Sequence, residues 1–392
     1  MINRTLAPII QNLMRSYPIV TVVGPRQSGK TTIVRQLFPD KPYVNLEKPD
    51  ERRFAKEDPN GFLSRYTNGA VIDEIQRVPE LSSYLQVAVD EDQRKGRFIL
   101  TGSQNFSIRE ALSQSLAGRT AIVTLLPLSL QEIANLEISM DLGSILYRGF
   151  YPRIFQDNLE PTTMYADYIA TYVERDIRQL SMVKDLSLFQ TFLSLCATRV
   201  GQILNLQSIA NDCGIAQVTA REWLSLLEAS YILYRLPPFH SNLGKRLIKR
   251  PKLYFYDTGL VAYLLGIESP TQADRHPMRG SLFENMVITD IIKTYYNSNR
   301  HPHLTFYRDS DGNEVDLLIP KLSSFLPIEI KSGQTINEDY FIGLKRLHKV
   351  MPERPYGSLI VYAGISQQRR TDGVEVINFN YLPEKLQSFM QS

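Results

Sequence analysis

A run of small and polar residues near the N-terminus has the composition of a loop that binds phosphate. Backbone N–H groups of such a loop point at phosphate oxygens, and glycines let the backbone approach without an intervening side chain. A lysine at its end neutralises the β- and γ-phosphates of a nucleotide, and the hydroxyl that follows ligates Mg²⁺. The sequence therefore predicts that ATP and Mg²⁺ bind here, at Gly24, Pro25, Arg26, Gln27, Ser28, Gly29, Lys30, Thr31 and Thr32.

Two adjacent acids supply the groups that a phosphate loop needs for hydrolysis. Asp73 and Glu74 end an apolar run that begins at Ala70 and is typical of a buried strand. An acid at the carboxyl end of such a strand holds the magnesium ion. We therefore expect Asp73 and Thr31 to be the metal-binding residues. Glu74 is the expected catalytic base that polarises water, and Lys30 the catalytic cation.

A third polar group follows the strand-like run that begins at Arg97. Thr101, Ser103 and Asn105 stand where ligands bind in open α/β sheets, and each can hydrogen-bond a γ-phosphate or a water molecule. Ser103 is the favoured catalytic candidate. A capped turn without a catalytic role is the alternative interpretation of the same residues.

Three acids and a lysine in the last third of the chain have the order of a metal-dependent nuclease site. Glu329 and Lys331 are two positions apart in a strand-like run and therefore share one face of a sheet. Asp316 lies in the preceding strand-like run, and Glu284 lies in a helical run. This order resembles the PD-(D/E)xK nuclease core, which implies that Asp316 and Glu329 hold a second divalent metal and that Glu284 completes or orients the site. Lys331 would activate water or stabilise the charged transition state. Val315 replaces the motif's proline, and both cleavage and binding without cleavage are compatible with these residues.

Alternating strand and helix signals surround the phosphate loop. The β-branched run Ile19–Val23 precedes it, and residues Lys30–Leu37 have helical spacing. Apolar runs at 43–46, 70–74, 97–101 and 121–125 have the character of further buried strands. The pattern predicts an α/β fold class, with a three-layer P-loop ATPase core over residues 1–136.

The rest of the chain divides into three predicted parts. Tyr165, Tyr168 and Tyr172 fall on one helical face, which predicts a core stripe within a helical lid or connector over 137–190. Two helical runs on either side of Gly214, followed by two strand-like runs, predict a winged helix over 191–270. The acids then belong to an α/β domain of the restriction-endonuclease type over 271–392.

Four cations lie between the two strand-like runs of the predicted winged helix. Cations on a wing can contact DNA phosphates. Winged helices also pack against proteins, and cations on a hairpin are often merely solvated, so DNA contact is one of two open interpretations. The candidates for DNA contact are Lys245, Arg246, Lys249 and Arg250.

Composition and length limit what the whole chain can be. Its 392 residues exceed one usual hydrophobic core, and the 43% apolar content is that of a globular protein. The absence of a long apolar run and of a signal-peptide pattern leads us to expect a cytoplasmic protein without a membrane partner. A net charge of +3 leaves nucleic-acid binding to local patches. Cys196 and Cys213 lie in apolar helical patterns, which predicts structural thiols.

Together these motifs resemble prokaryotic AAA+ ATPases of the AAA_14 kind, which carry a C-terminal domain of unknown function, DUF4143. The resemblance implies ATP hydrolysis by a homo-oligomer, in which an arginine of a neighbouring subunit completes the site. Arg119 and Arg175 are the candidates for that catalytic arginine, and either also fits a structural ion pair. The resemblance covers nearly the whole chain and rests on residues 24–31, 72–76, 100–103, 116–119, 127–129, 151–152 and 174–176.

Three functions are compatible with this organisation. The leading hypothesis is an ATP-driven protein that acts on DNA, in which the nucleotide state controls the winged helix and the nuclease-like domain. The alternative is a nucleotide-dependent switch that binds a protein partner and keeps its C-terminal acids as a non-cleaving scaffold. A transcriptional regulator that uses only the winged helix is the third. DNA cleavage that depends on Asp316 distinguishes the first function from the second.

Overall fold

The computed structural model describes residues 2–103, 115–136, 138, 140–173, 185–239, 249–352 and 355–391. Four candidates from the sequence lie outside these residues: Asn105, Arg175, Lys245 and Arg246. Within the described part of the chain, no helix combines the length and the apolar character needed to cross a membrane.

A five-stranded parallel sheet forms the centre of the N-terminal third. The strands stand in the order β2-β3-β4-β1-β5. Because all of them run in the same direction, the loops that follow β1, β3 and β4 meet at one edge of the sheet. The strand bounds are β1 (Ile19–Val23), β2 (Tyr43–Asn45), β3 (Val71–Asp73), β4 (Phe98–Gly102) and β5 (Thr120–Thr124).

Helices cover both faces of this sheet. Their bounds are α1 (Ala7–Ser16), α2 (Lys30–Leu37), α3 (Pro49–Glu57), α4 (Pro59–Ser64) and α5 (Leu81–Glu91). Val20 and Val22 of β1 pack in one apolar cluster with residues of α1 and α2. Ile19 and Val23 belong to a second cluster, on the opposite face, that includes Leu85 of α5. Successive side chains of β1 are therefore buried on opposite faces of the sheet, and the predicted three-layer α/β core is confirmed.

Short helices lead from the core into the middle of the chain. They are α6 (Leu130–Ala134), α7 (Leu142–Arg148), α8 (Pro152–Gln156) and α9 (Pro161–Tyr168), which continues as a π-helical turn, Ile169–Val173. Tyr151 packs against Tyr165 and Tyr168, with ring centroids 6.0 and 4.9 Å apart. Tyr165 and Tyr168 are therefore part of a buried stripe, as their spacing predicts, whereas the side chain of Tyr172 is outside the described structure.

Three helices and a small antiparallel sheet follow. The helices are α10 (Leu186–Ala197), α11 (Leu206–Cys213) and α12 (Gln217–Ala229), and the strands are β6 (Leu233–Leu236) and β7 (Lys252–Phe255). Gly214 ends α11 with a φ of +72°, a conformation that favours glycine, and so forms the turn before α12. Ile203 pairs with Lys252 as an added bridge to the sheet. Cys196 and Cys213 are buried free thiols, and burial raises the pKa of the Cys196 thiol.

A six-stranded mixed sheet occupies the last third. Its order is β12-β13-β11-β10-β9-β8, in which β8, β9 and β10 are antiparallel and β10, β11 and β13 are parallel. In β9 and β10, Leu317 pairs with Ile328, so the next pair in the register places Asp316 opposite Glu329. The strand bounds are β8 (Thr305–Arg308), β9 (Glu314–Lys321), β10 (Ser324–Lys331), β11 (Ser358–Tyr362), β12 (Gln368–Arg369) and β13 (Val374–Asn378).

The helices of this third connect the sheet to the rest of the chain. They are α13 (Thr258–Leu264), α14 (Pro270–Arg275), α15 (Arg279–Asn297), α16 (Ile342–Val350) and α17 (Leu382–Gln391). Leu344 of α16 packs with Leu318 on one face of the sheet. On the other face, Phe283 of α15 belongs to the same apolar cluster as Val23 of β1. This shared core fixes α15 relative to the N-terminal sheet.

Candidate functional site

The loop between β1 and α2 has the backbone conformation that its glycines permit. Gly24 has a φ of +151°, and a Cβ there would overlap the carbonyl oxygen of Leu125. Gly29 immediately precedes α2 with a φ of +93°. Gln27 also has a positive φ, of 60°, which is strained for a residue with a side chain. The sequence thus folds into a tight turn that leads directly into the N-terminus of α2, an anion-binding arrangement.

Lys30 lies beneath this loop. It is 6% exposed, and its Nζ donates hydrogen bonds to the carbonyl oxygens of Gly24 at 3.0 Å and Pro25 at 2.7 Å. Arg26, from the same loop, approaches Glu47 at 3.7 Å. The ammonium group therefore lies against the loop, as a residue that neutralises bound phosphate must.

The carboxylate of Asp73 accepts hydrogen bonds from three hydroxyl groups. The hydroxyl of Thr31 donates to its Oδ2 at 3.0 Å, so the two predicted metal ligands lie side by side. The hydroxyl of Tyr43 donates to the same oxygen at 2.6 Å, and the hydroxyl of Thr101 donates to Oδ1. Burial and the contact with Asp73 both raise the pKa of Tyr43, so this hydroxyl stays a donor. The sequence did not identify Tyr43, because it lies on a different strand, β2.

Glu74 has a strained backbone next to the buried strand. Its φ of 60° and ψ of 47° lie in the left-handed region, which costs about 1–3 kcal/mol and is common at functional sites. Burial raises the pKa of its carboxyl group, while the positive charges of Lys30 and Arg26 act in the opposite direction. A carboxylate with a raised pKa is a stronger proton acceptor.

Gln76 connects Glu74 to Ser103, a link that the sequence did not reveal. Its Nε2 donates to the carboxylate of Glu74 and, at 3.1 Å, to the hydroxyl of Ser103. Ser103 is 3% exposed. The backbone N–H of Glu74 also donates to the Thr101 hydroxyl at 3.4 Å. Thr101 therefore contacts Asp73 and Glu74 directly, and Ser103 is linked to Glu74 through Gln76.

Arg119 lies at the other end of the sheet from its own phosphate loop. The backbone N–H of Ile19, at the start of β1, donates to the carbonyl oxygen of Arg119, whereas Gly24 follows the end of β1. The guanidinium of Arg119 forms two hydrogen bonds with Asp90, at 2.6 and 2.8 Å. This geometry agrees with the structural ion pair that the sequence left open, and a role in a neighbouring subunit stays a prediction. Arg175 lies outside the described residues.

The four predicted nuclease-like residues come together between α15 and the C-terminal sheet. Lys331 Nζ lies 2.9 Å from Glu329 Oε2 and 3.7 Å from Asp316 Oδ2. The backbone N–H of Ile330 donates to Asp316 Oδ2 at 2.8 Å. Glu284 of α15 reaches the same cluster, which we call the acid cluster.

Three residues that the sequence did not single out complete the acid cluster. Lys252 of β7 lies with Nζ 3.0 Å from Glu284 Oε1, 2.5 Å from Glu314 Oε1 and 4.0 Å from Asp316 Oδ1. The hydroxyl of Tyr254 donates to Glu284 at 2.5 Å. Because Lys252 and Tyr254 lie 32 and 30 positions before Glu284, no local motif identifies them.

The charges in the acid cluster bear on the predicted second divalent metal. Burial, reinforced by the charge of Asp316, raises the pKa of Glu329 well above its usual value. Burial acts to raise the pKa of Asp316 as well, but Lys331 and Lys252 lower it overall. No group of acidic, histidine or cysteine side chains arranged for a metal occurs among the described residues. Lys252 places an ammonium group beside Glu284 and Asp316, two of the acids expected at the second metal. Metal binding by Glu284, Asp316 and Glu329 stays a prediction.

The candidate DNA-contact residues are described only in part. Lys249 and Arg250 are exposed, directly before β7, and Lys245 and Arg246 lie outside the described residues. Helix α12, the second helix of the predicted winged helix, exposes Val218, Arg221 and Glu222 and buries Trp223. Its outer face therefore carries one cation and one acid among polar and apolar side chains.

Three family models match consecutive parts of the chain. An AAA domain of the AAA_14 kind matches residues 16–134, and a domain of unknown function, DUF4143, matches residues 279–382. Between them, a further domain of unknown function, DUF8612, matches residues 139–271. The phosphate loop and its acids thus lie in the AAA match, and Lys252 and Tyr254 lie in the DUF8612 match. The other acid-cluster residues lie in the DUF4143 match.

The chain is similar to two mycobacterial proteins and to a solved structure. Uncharacterized proteins of Mycobacterium tuberculosis, Rv2008c, and of Mycobacterium bovis, Mb2031c, are each 31% identical over 338 residues, which cover 85% of this chain and 74% of the relative. Among solved structures, the Walker-type ATPase of Pyrococcus abyssi has a TM-score of 0.45 and 12% identity, and the match covers 68% of this chain and 96% of that one.

Proposed function

The chain belongs to the family that joins an AAA domain of the AAA_14 kind to a DUF4143 domain, and we propose that it is a magnesium-dependent ATPase. One observation carries the proposal. Thr31 and Asp73, which come from separate elements, share a 3.0 Å hydrogen bond directly beside the lysine-bearing loop. A glycine turn alone does not require a buried carboxylate at this place.

Each residue of the site has a role in the proposed reaction. The loop N–H groups and Lys30 bind the triphosphate of ATP and neutralise its charge. Thr31 and Asp73 would hold the Mg²⁺ ion, which supplies charge stabilisation to the phosphate oxygens. Glu74 orients a water molecule and accepts its proton. Gln76 and Ser103 fix the carboxylate of Glu74 in place, because the amide of Gln76 donates to both.

A Glu74→Gln variant tests this assignment. The substitution keeps the size of the side chain but removes its basicity, so we expect ATP binding to persist while phosphate release falls by about 10²-fold or more. Binding is measured with a fluorescent ATP analogue and turnover by phosphate release. A variant that hydrolyses ATP at the wild-type rate contradicts the role of Glu74.

The proposal extends to the finer fold and to DNA. We propose that α11, α12, β6 and β7 form a winged helix, and that the C-terminal sheet has the PD-(D/E)xK nuclease fold. The turn at Gly214, the bridge of Ile203 to β7, and the pairing of Asp316 with Glu329 support these assignments. Exposed Lys249 and Arg250 support contact with DNA phosphates. ATPase rates with single-stranded DNA, duplex DNA or RNA test this, since stimulation by either DNA but not RNA is expected.

A second candidate function is a nucleotide-dependent switch that binds a protein and does not cut DNA. The position of Lys252 favours it, because an ammonium group lies among the carboxylates that a nuclease uses for metal. Incubation of DNA with the protein, Mg²⁺ or Mn²⁺, and each nucleotide separates the two functions. Cleavage that disappears in an Asp316→Asn variant supports a nuclease, and no cleavage under any condition supports the switch.

We also propose that the ATPase acts as a homo-oligomer, with Arg119 reaching the nucleotide of a neighbouring subunit. Its place at the far end of the sheet from its own loop supports action between subunits. Mixing an inactive Lys30→Ala protein with an inactive Arg119→Ala protein should restore part of the ATPase activity. No recovery, with both proteins folded and associated, contradicts this role.

A further inference from the structure

Lys252 is a buried cation that joins two separate parts of the chain. It is 2% exposed, and its backbone is fixed within the middle part by pairing with Leu236 of β6 and Ile203. Its side chain leaves that part and enters the acid cluster, where it lies between Glu284 and Glu314. A strand within the residues that match DUF8612 thus places a charged side chain among the residues that match DUF4143.

The carboxylates of the acid cluster have cationic partners from the chain itself. Glu314 also contacts Arg308 at 2.7 Å, and Asp316 contacts Lys331 at 3.7 Å. Glu329 contacts the same Lys331 at 2.9 Å. The four acids Glu284, Glu314, Asp316 and Glu329 thus lie beside three cations, Lys252, Lys331 and Arg308. Buried charges need such partners, because an unpaired charge in the interior is strongly destabilising.

We propose that Lys252 occupies the position of a divalent cation in the acid cluster. The DUF4143 domain of this protein is then a metal-free scaffold that Lys252 links to the middle part of the chain. A nuclease of this fold class uses the same carboxylates to bind metal. Here the ammonium group lies 3.0 Å from one of them, Glu284, and 4.0 Å from a second, Asp316. It also contacts the neighbouring Glu314 at 2.5 Å. A divalent cation at the same point would meet a like charge at contact distance, which strongly opposes binding.

Further contacts give the ammonium group a fixed position. The hydroxyl of Tyr254, two residues along β7, donates to the same Glu284 oxygen that Lys252 contacts. The aromatic ring of Phe306 lies 5.6 Å from Lys252 Nζ. One strand therefore presents both a cation and a hydroxyl donor to Oε1 of Glu284, which satisfies this oxygen without metal.

Titration of the full-length, nucleotide-free protein with Mn²⁺, followed by electron paramagnetic resonance, tests the proposal. The wild type and an Asp316→Asn variant should bind Mn²⁺ equally weakly. A Lys252→Gln variant should gain one site, about tenfold tighter or more, since the like charge is gone. Adding Asp316→Asn to Lys252→Gln should remove that gain. Lys349→Gln changes an exposed lysine in the same domain and should behave as the wild type.

Thermal unfolding supplies a second measurement. Lys252→Gln should lower the melting temperature, Mn²⁺ should recover part of the loss, and chelator should leave the wild type unchanged. Wild-type Mn²⁺ binding that depends on Asp316 overturns the proposal, and this result needs no variant of Lys252 to fold. A folded Lys252→Gln protein that gains no Mn²⁺ site, or loses no stability, overturns it as well. None of these outcomes depends on ATP hydrolysis.

Discussion

Arg4 is hydrogen-bonded to the phosphate loop: its Nη1 donates to the backbone carbonyl oxygen of Ser28 at 2.7 Å. The same guanidinium donates to Leu126 at 2.6 Å and pairs with Glu132 at 3.1 Å. Beside Glu132, the backbone N–H of Leu130 donates to Asp290 of α15 at 2.6 Å. Since α15 also carries Glu284, a chain of buried polar contacts connects the nucleotide loop with the helix of the acid cluster.

Replacing Arg4 should weaken both the fold and the nucleotide site. An Arg4→Met variant keeps most of the side-chain volume but leaves Glu132 without its buried cation. We expect a loss of about 3–5 kcal/mol in the free energy of unfolding, as for other broken buried pairs. The Kd for ATP should rise, because the loop loses its support at Ser28. Denaturant unfolding and ATP titration measure the two effects, and the exposed Arg15→Met serves as control. Wild-type stability in Arg4→Met contradicts this account.

Tyr43 should set the magnesium requirement of the site. A Tyr43→Phe variant removes the hydroxyl that donates to Asp73 at 2.6 Å but keeps the ring. Loss of a contact that orients a metal ligand typically weakens metal binding 10- to 100-fold. We therefore expect the Mg²⁺ concentration for half-maximal ATPase activity to rise by about tenfold. Tyr84→Phe, at an exposed tyrosine, should leave that concentration unchanged. An unaltered Mg²⁺ dependence in Tyr43→Phe is the contrary result.

The ATPase rate should depend on pH through Glu74. Its base form is the carboxylate, and burial raises its pKa above the ordinary 4.5. As pH falls through that raised pKa, the carboxylate takes up a proton and kcat should fall. The profile of kcat at saturating ATP should thus have an acid limb with its midpoint above pH 4.5. Glu80→Gln, at a nearby exposed acid, should keep this limb. A kcat that does not decrease at acid pH while the protein stays folded opposes the assignment.

Lys293 should make the free energy of unfolding rise with pH in the alkaline range. Burial lowers its pKa to about 8 from 10.5, although Asp257 and Asp290 oppose the change. Between these pH values the unfolded chain holds the proton and the folded protein does not, so the free energy of unfolding rises with pH. The rise amounts to about 3 kcal/mol. The free energy of unfolding of the wild type minus that of a Lys293→Met variant, measured by urea unfolding from pH 7 to 10.5, isolates the contribution of Lys293. A difference that stays constant with pH contradicts the prediction.

The sequence predicted the elements whose signals are local. The strand before Gly24, the helix after Gly29 and the acid at Asp73 are each recognisable within a few residues, and the parallel sheet then places Asp73 beside Thr31. The spacing of Glu329 and Lys331 likewise placed them on one face of β10. Such features follow from periodicity and from the fixed geometry of strands and turns.

The missed residues act over long distances in the sequence. Arg4 reaches Glu132 across 128 positions, and Tyr43 reaches Asp73 across 30. Lys252 gave no sign of its role, because an isolated lysine in an apolar run has no spacing relation to Glu284. The acids behind the predicted second metal were recognised from the sequence, but the cation that a distant strand brings to them was not.

The most direct test of the central claim is the rate of ATP hydrolysis by a Lys30→Ala variant. Its Nζ contacts the loop carbonyl oxygens of Gly24 and Pro25, so the substitution removes the cation while the rest of the loop remains. Phosphate release is measured with purified wild type and variant at saturating Mg²⁺ and ATP. We predict that the wild type hydrolyses ATP and that the variant loses activity by about 10²-fold or more. Hydrolysis by the variant at the wild-type rate would contradict the assignment of this loop as the ATPase site.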